Sequence, residues 1–505
     1  MIEQAYALAV LFGGMTLLMV LVVRGKSIFV VAPLCALLTV TLSGRDPVAA
    51  MTGPYMSGFA DYLRNFYLVF ALGAAFGKVF EESGAAAVIA ERVGGWLGRE
   101  RACLAVVLAC AILTYGGVSL FVVGFSVYPL AVKLFRAANL PRRFIPAAIA
   151  FGSITFTMTS AGSPEPQNLL PTKLLLDATT HEKLTDALAG WPVSLIVGVL
   201  MFIVGQWYLE RAIRAAVAAG EQWNDLPRDA AASDSDSAAS KGESGSGGRI
   251  KIKSKIEIKS ESTGASLRRP TFFAAMIPLI VTLLALNLLP AVCHAAARQW
   301  TLADDASPIV GTLHALLKRF PEDPTLSIFL GVVAALVMLR RQISGPWTCL
   351  GDGFINGLLA IGSTASVVGF GAAVKDLPAF QAVVAWVTKI PGDPLIGAAI
   401  AVAVISAIAG SASGGQGIAL PIIKPIYVDQ LGVSPRALHR VVAISSGTLD
   451  SLPANGYLVM LIRNICGESH QRAYPPIFVT TVLLPMAGTA LAILLYKLVP
   501  AWMNY

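Results

Sequence analysis

Three polar stretches rich in Gly, Pro, Ser and Asn interrupt apolar sequence: SAGSPEPQN over 160–168, GSASGGQ over 410–416 and LDSLPANG over 449–456. Where a helix breaks, backbone N–H groups lose their helical partners and a glycine lets a solute approach the main chain, so such a stretch suits a small anion. The candidate binding residues are Ser160, Gly162, Ser163, Gln167 and Asn168 in the first stretch. Ser411, Ser413, Gly414, Gly415 and Gln416 follow in the second, and Ser451 and Asn455 in the third. Small residues also let helices pack closely. A polar run this long, followed by Pro421, is not ordinary packing sequence, and binding is the reading adopted.

Two carboxylates lie in the same stretches. Asp450 ends an apolar segment, where an ionised group is costly unless hydrated, paired or protonated. It suits a proton or cation carrier, or an N-cap for the next helix, and the two roles can coexist. Glu165, between Pro164 and Pro166, is a second candidate for titration during turnover, although a tip position also allows simple solvation. Lys78 with Glu81 or Glu82, and Lys375 with Asp376, stand at segment ends and are expected to snorkel or to pair. His439 has Arg436 and Arg440 close by, so a membrane-interface position is expected in preference to proton shuttling. HExxH, GxSxG and Walker-type motifs are missing, so no catalytic residue is assigned and ATP-driven transport loses support.

The elements that must hold these breaks are membrane helices. Of 505 residues, 55% are hydrophobic and only 13% charged, against roughly 25% charged in a soluble globular chain. The mean hydropathy is +0.69. Irregular backbone at membrane depth survives only where it is buried in protein or lines a wet cavity, which ties the breaks to a site. Residues 5–23 form a 19-residue uncharged run and are expected to be a retained first span rather than a cleaved signal. Six scattered cysteines without CxxC spacing indicate neither a disulfide framework nor a zinc site. The net charge of +8 is assigned to basic cytoplasmic loops, not to nucleic acid.

Further apolar segments are expected near 27–42, 66–82, 102–115, 118–135, 144–158 and 190–209 in the first half. In the second they fall near 271–290, 326–340, 353–374, 394–409, 417–428, 437–450 and 475–498. Several are too short to cross alone and are expected to be half-helices or re-entrant hairpins. The reading is an all-α polytopic membrane protein with a first membrane repeat over 1–209, a flexible basic cytoplasmic linker over 210–270 and a second membrane repeat over 271–505. Eleven Lys and Arg between 210 and 269 agree with a cytoplasmic linker. Seven crossings before the linker would invert the second half relative to the first. A short internal echo supports this: GAAFGK at 73–78 resembles GAAVK at 371–375, and the lysines precede the breaks at Thr114 and Gly410 by 36 and 35 residues.

Five motifs then carry a resemblance: FGKVFEESGA (76–85), VGFSVYPL (123–130), FTMTSAGSPEPQN (156–168), GSASGGQGIALPI (410–422) and SPRALHRVVAISSGTLDSLPANG (434–456). The chain resembles the gluconate permease (GntP) family of the ion transporter superfamily over most of its membrane region. The resemblance implies a bacterial inner-membrane, proton-coupled symporter of small hydroxy-carboxylates, with inverted repeats and re-entrant hairpins that move as an elevator. It implies no cofactor beyond the coupling cation, a carboxylate and the bilayer as partners, and is compatible with a homodimer. Three departures stand out: Val122 where gluconate-type members carry glutamate, SPEPQN where they have a PPHPGP-like tip, and Ala454 in place of the family's usual histidine. A less polar pocket disfavours a sugar acid with many hydroxyls, each of which would lack a partner. The first tip looks more like that of D-beta-hydroxybutyrate permeases, so a short hydroxy-monocarboxylate is the expected solute.

Overall fold

A computed structural model describes residues 2–24, 26–180, 182–223, 269–289, 292–293, 311, 324–382, 393–409, 411–453 and 455–505. The described residues are helical, and the only β-type pairing among them is one isolated bridge between Leu176 and Lys183. Among the described residues, four helices are both long and apolar enough to cross a membrane: α3 (Pro47–Glu82), α9 (Trp191–Ala218), α12 (Pro346–Val374) and α17 (His470–Leu498). Each begins with a signal readable in its sequence. Asp46 caps α3 by accepting from the Val48 and Ala49 N–H groups, with Pro47 in the first turn. Gly190, at φ +65°, turns the chain into α9.

The shorter elements are α1 (Ile2–Val23), α2 (Ile28–Leu42), α4 (Ala85–Leu97), α5 (Ala102–Tyr115) and α6 (Leu120–Ala137). Next come α7 (Ile145–Ala150, widening into a π turn over Phe151–Thr155) and α8 (Pro166–Leu174). In the second half lie α10 (Phe272–Asn287), α11 (Pro324–Leu339), α13 (Pro394–Ala409), α14 (Ala412–Lys424) and α15 (Pro435–Leu449). The last is α16 (Gly456–Val459, continued by a π turn over Met460–Ile465). Leaving α4 aside, the order of the described elements repeats: a helix pair (α1–α2, α10–α11), a long helix (α3, α12), a hairpin (α5–α6, α13–α14), a broken helix (α7–α8, α15–α16) and a final long helix (α9, α17).

The two central long helices run antiparallel on a seam of small residues. A Cβ at Gly353 would lie 2.5 Å from the Ala75 Cα and one at Gly357 2.6 Å from the Ala71 Cα, while Gly58 meets Ala372 and Val368 at the other end. Backbones approach this closely only over Gly and Ala, and in lipid such packing, not the hydrophobic effect, holds helices together. The outer pairs cross over: α2 packs on α12 and α11 packs on α3.

Loop contacts sort the helix ends onto two faces. On one, Arg143 meets Glu221 at 2.7 Å, Arg142 donates to the Cys466 carbonyl at 2.6 Å, and Arg269 pairs with Glu91 at 3.2 Å. On the other, Arg436 pairs with Asp186, Ser434 donates to the Met503 carbonyl at 2.6 Å, and Gly190 N–H donates to the Tyr505 carbonyl. Helix α9 runs from the second face to the first and α17 runs back.

Two expectations need correction. The linker does not start at 210, because α9 continues to Ala218 with Leu209, Ile213 and Ala216 buried at helical spacing. Most of the expected linker, 224–268, lies outside the described residues. The break at 410–416 is also shorter than expected: Ser411 already caps α14, so Ser413 to Gln416 are its first turns. Gly410 itself lies outside the described residues.

Candidate functional site

Four interruptions of helix converge on one cavity of about 530 Å³. The α5–α6 tip contributes Gly117 and Ser119, the α7–α8 break Met158 and Pro164 to Gln167, the α13–α14 tip Ser411 to Ser413, and the α15–α16 break Asp450 and Asn455 to Tyr457. Opposite them stand Val69, Phe70, Gly73 and Ala74 of α3 and Ala360, Ser363, Thr364 and Val367 of α12. Leu18, Lys26 and Ile28 at the α1–α2 turn, Leu120 of α6 and Ile328 of α11 complete the wall.

Each break delivers a helix N-terminus to this cavity. Ser411 Oγ accepts from Gly414 N–H at 3.3 Å and Asn455 Oδ1 from Leu458 N–H at 3.0 Å, so α14 and α16 are capped by their own side chains. Ser119 and Glu165, which precede α6 and α8, make no such bond. The positive ends of four helix dipoles therefore border one space that also holds hydroxyl and amide groups, an arrangement suited to a carboxylate.

The irregular backbone of the α7–α8 break is satisfied group by group, as its depth demands. Ala161 N–H donates to Ser194 Oγ at 2.8 Å, and its carbonyl accepts from the Tyr115 hydroxyl at 2.9 Å. Gly162, at φ +80°, donates to the Ala187 carbonyl at 2.8 Å and accepts from Asn287 at 3.0 Å. Gln416 ties this break to α14, donating to the Gln167 carbonyl at 3.0 Å and to Ser446 Oγ at 2.8 Å.

Of the residues singled out in sequence, Glu165, Gln167, Ser411, Ser413, Asp450 and Asn455 line the cavity. Asp450 accepts from its neighbour Ser451 at 2.9 Å and faces the Ala412 N–H at the start of α14, while Glu165 opens into the cavity among prolines. Lys26 is the one cationic side chain in the wall. The others brace the site from behind. Ser160 donates to the Phe156 carbonyl, Ser163 Oγ accepts from Glu165 N–H, and Gly414 holds the Ser411 cap. Gly415 packs against Ser406, which makes it a packing glycine and not a ligand-facing one. Ser451 accepts from the Tyr474 hydroxyl at 3.0 Å, and Asn168 is consumed by structural bonds.

His439 and Arg440 stand in the first turns of α15, close to the face that carries Arg436. Both are fully buried. The imidazole bridges Thr185 Oγ1 (2.8 Å) and Asn168 Oδ1 (3.3 Å). The guanidinium donates to the Ala189 carbonyl (2.7 Å), Asn168 Oδ1 (2.9 Å) and the Thr159 carbonyl. The carbonyls of the α7–α8 break supply what an arginine fork needs. Lys78 pairs with Glu81 at 3.4 Å as expected. Ser363 and Thr364 escaped the sequence reading, although the polar run GSTAS at 362–366 inside α12 marks them.

The chain is similar to known proteins at three levels. Residues 6–231 match the model of the GntP family permease. The chain is 32% identical over 511 residues to the uncharacterized transporter YxjC of Bacillus subtilis (strain 168), covering 97% of this chain and 99% of that one. The crystal structure of the Alcanivorax borkumensis YdaH transporter, described as having an unusual topology, superposes with a TM-score of 0.52 over 90% of each chain at 14% identity, a likeness of fold alone.

Proposed function

The chain belongs to the GntP family of permeases and is a membrane transporter, and from that premise we propose that it carries a short hydroxy-monocarboxylate of the 3-hydroxybutyrate type together with a proton. The observation that carries this reading is the convergence of four helix N-termini and two carboxylates, Asp450 and Glu165, on one cavity. The substrate carboxylate is held by N–H groups and the hydroxyls of Ser119, Ser411 and Ser413, without a tight ion pair that would slow release. A substrate anion entering beside ionised Asp450 or Glu165 is repelled, and protonation removes the repulsion. Anion and proton therefore favour each other's binding, and the linkage is reciprocal. Binding of both together, with neither crossing alone, is symport.

The apolar share of the wall, from Val69, Phe70, Met158 and Val367, supports a short chain over a sugar acid, whose extra hydroxyls would go unpaired there. The repeated element order and the antiparallel α3–α12 seam support inverted repeats, with α3 and α12 as the frame against which the hairpin tips move. Arg142, Arg143 and Arg269 share one face, which we assign to the cytoplasm with the basic linker, in a bacterial inner membrane.

Purified protein in vesicles with an imposed inward proton gradient is expected to accumulate labelled 3-hydroxybutyrate and to ignore gluconate. Asp450→Asn is expected to retain exchange of solute while losing accumulation. Lack of concentrative uptake of any hydroxy acid in a broad panel, with or without sodium, would refute the proposal.

A further inference from the structure

Lys26 is the one charged residue of the cavity wall that takes no part in the symport described above. It stands in the turn between α1 and α2, where its N–H donates to the Leu21 carbonyl at 3.0 Å. That turn is not at an end of α12. Phe29, in the first turn of α2, packs on Gly362 near the middle of α12, beside Ser363 and Thr364 of the wall. An ammonium at that level is costly unless it is hydrated or paired. Lys26 is exposed and, among the described residues, forms no ion pair. The two carboxylates of the wall are placed elsewhere: Asp450 accepts from Ser451 at 2.9 Å, and Glu165 precedes α8. A lysine that only snorkels lays its stem along apolar surface and reaches a membrane face. This one opens instead into the space where an anion has to pass two carboxylates.

We propose that Lys26 is the anion-recognition residue at the open edge of the cavity. Its ammonium draws the solute carboxylate in past Asp450 and Glu165 and gives it up to the N–H groups of the tips. The proposal rests on the symport reading above and adds to it a residue that selects for negative charge. A cation in a partly wet cleft attracts an anion across several ångströms, and this offsets the repulsion of the carboxylates before either is protonated. Its position adds a second consequence. The α2 helix that follows Lys26 packs on α12, whereas Asp450, Ser411 and Ser413 stand at the breaks, so the cation and the final ligands belong to different parts of the fold. An exposed ammonium holds a carboxylate weakly, which permits hand-over where a buried pair would retain the solute.

The test uses the full chain in vesicles and reads exchange of labelled for unlabelled 3-hydroxybutyrate at equal pH, with KM and kcat measured separately. For Lys26→Gln, KM is expected to rise about threefold to tenfold, the range from an exposed ion pair to one beside a low-dielectric wall, with kcat within about twofold. Lys26→Arg is expected to keep the wild-type KM, and Lys26→Glu to raise it further. Raising salt from about 0.02 M to about 0.3 M is expected to raise the wild-type KM and to leave that of Lys26→Gln nearly unchanged, because the charge being screened is gone. Arg24→Gln removes an exposed charge in the same turn that does not line the cavity, and is expected to leave KM within about twofold. The six native cysteines are buried, so Lys26→Cys offers an accessible thiol. An ethylammonium thiosulfonate reagent is expected to restore its low KM, and a sulfonatoethyl reagent to raise KM further. An unchanged KM in Lys26→Gln, an equal rise in Arg24→Gln, or a salt dependence shared by wild type and Lys26→Gln overturns the proposal. Loss of exchange in Lys26→Gln and Lys26→Arg alike would mark a structural role and overturns it too. Failure of the hydroxy-acid reading would appear differently, as a wild-type protein that exchanges another monocarboxylate, with which the same KM ratio is then read. A wild-type protein that exchanges no organic anion overturns both.

Discussion

Gly415→Ala tests whether the α13–α14 tip is set by helix packing. A Cβ there would lie 2.0 Å from Ser406 Oγ, 2.7 Å from its Cβ and 2.5 Å from its Cα. Rotating the hydroxyl relieves only the first contact, because Cα belongs to the backbone of α13. Ordinary contact begins near 3.4 Å, so the two helices must part by about 1 Å, and inserting a methyl into a packed seam costs about 1–3 kcal/mol. The same displacement moves Ser411 and Ser413 in the cavity wall and strains the Gln416 bond to the Gln167 carbonyl. The variant is expected to lower the apparent unfolding temperature in detergent and to reduce exchange of 3-hydroxybutyrate. Companion changes rank the contacts. Ser406→Ala removes Oγ and recovers little, whereas Ser406→Gly also removes Cβ and recovers more, with Cα still too close. Combined with Gly415→Ala, Ser406→Gly should show a favourable coupling of about 1 kcal/mol, within the range for residues in direct contact. A Gly415→Ala protein as stable and active as wild type, or a double variant no better than the single, would refute the packing argument.

Three further predictions concern two buried arginine contacts and one cavity carboxylate. Arg440→Met strips donors from Thr159, Ala189 and Asn168, and at the ~0.6–1.7 kcal/mol measured per hydrogen bond inside membrane proteins the loss should total about 2–4 kcal/mol in unfolding assays. Arg440→Lys should recover little, since an ammonium cannot fork to three acceptors. Arg142→Ala leaves the buried Glu468 without its cation 3.8 Å away and should cost about 3 kcal/mol, partly recovered by adding Glu468→Gln; equal stability of the two variants would contradict this. Glu165→Gln keeps the shape of the cavity and should preserve solute exchange while flattening the pH dependence of accumulation, which a pH series of uptake rates measures.

The expectations that rested on solvent held best. An apolar run of helical length has few options in lipid, so α1, α2, α5, α10, α11 and α13 follow the segments read from sequence closely. The breaks were equally legible, because Gly, Pro and polar residues are poor continuations of an apolar helix. Shorter helices after the breaks, α8 and α16, were not: nine or ten residues of mixed polarity give too weak a period to recognise. Within the site, Glu165, Gln167, Ser411, Ser413, Asp450 and Asn455 could be named in advance because they stand at breaks. Ser363 and Thr364 could not be separated from residues that merely ease helix packing.

The sequence alone determined the class of solvent, the positions where helices must stop and the polar groups those stops expose, since each follows from local composition and spacing. Only the tertiary structure decided which of those groups meet. Asn168 and Gly415 belong to the same polar runs as Gln167 and Ser413, yet one is spent on Arg440 and the other on Ser406. His439 and Arg440 are buried, because the α7–α8 break, 271 positions before His439, brings carbonyls and an amide oxygen that need donors. A break announces unsatisfied backbone wherever it occurs. Whether a ligand, a proton or another part of the chain satisfies it depends on what the fold brings within about 3 Å, the reach of a hydrogen bond.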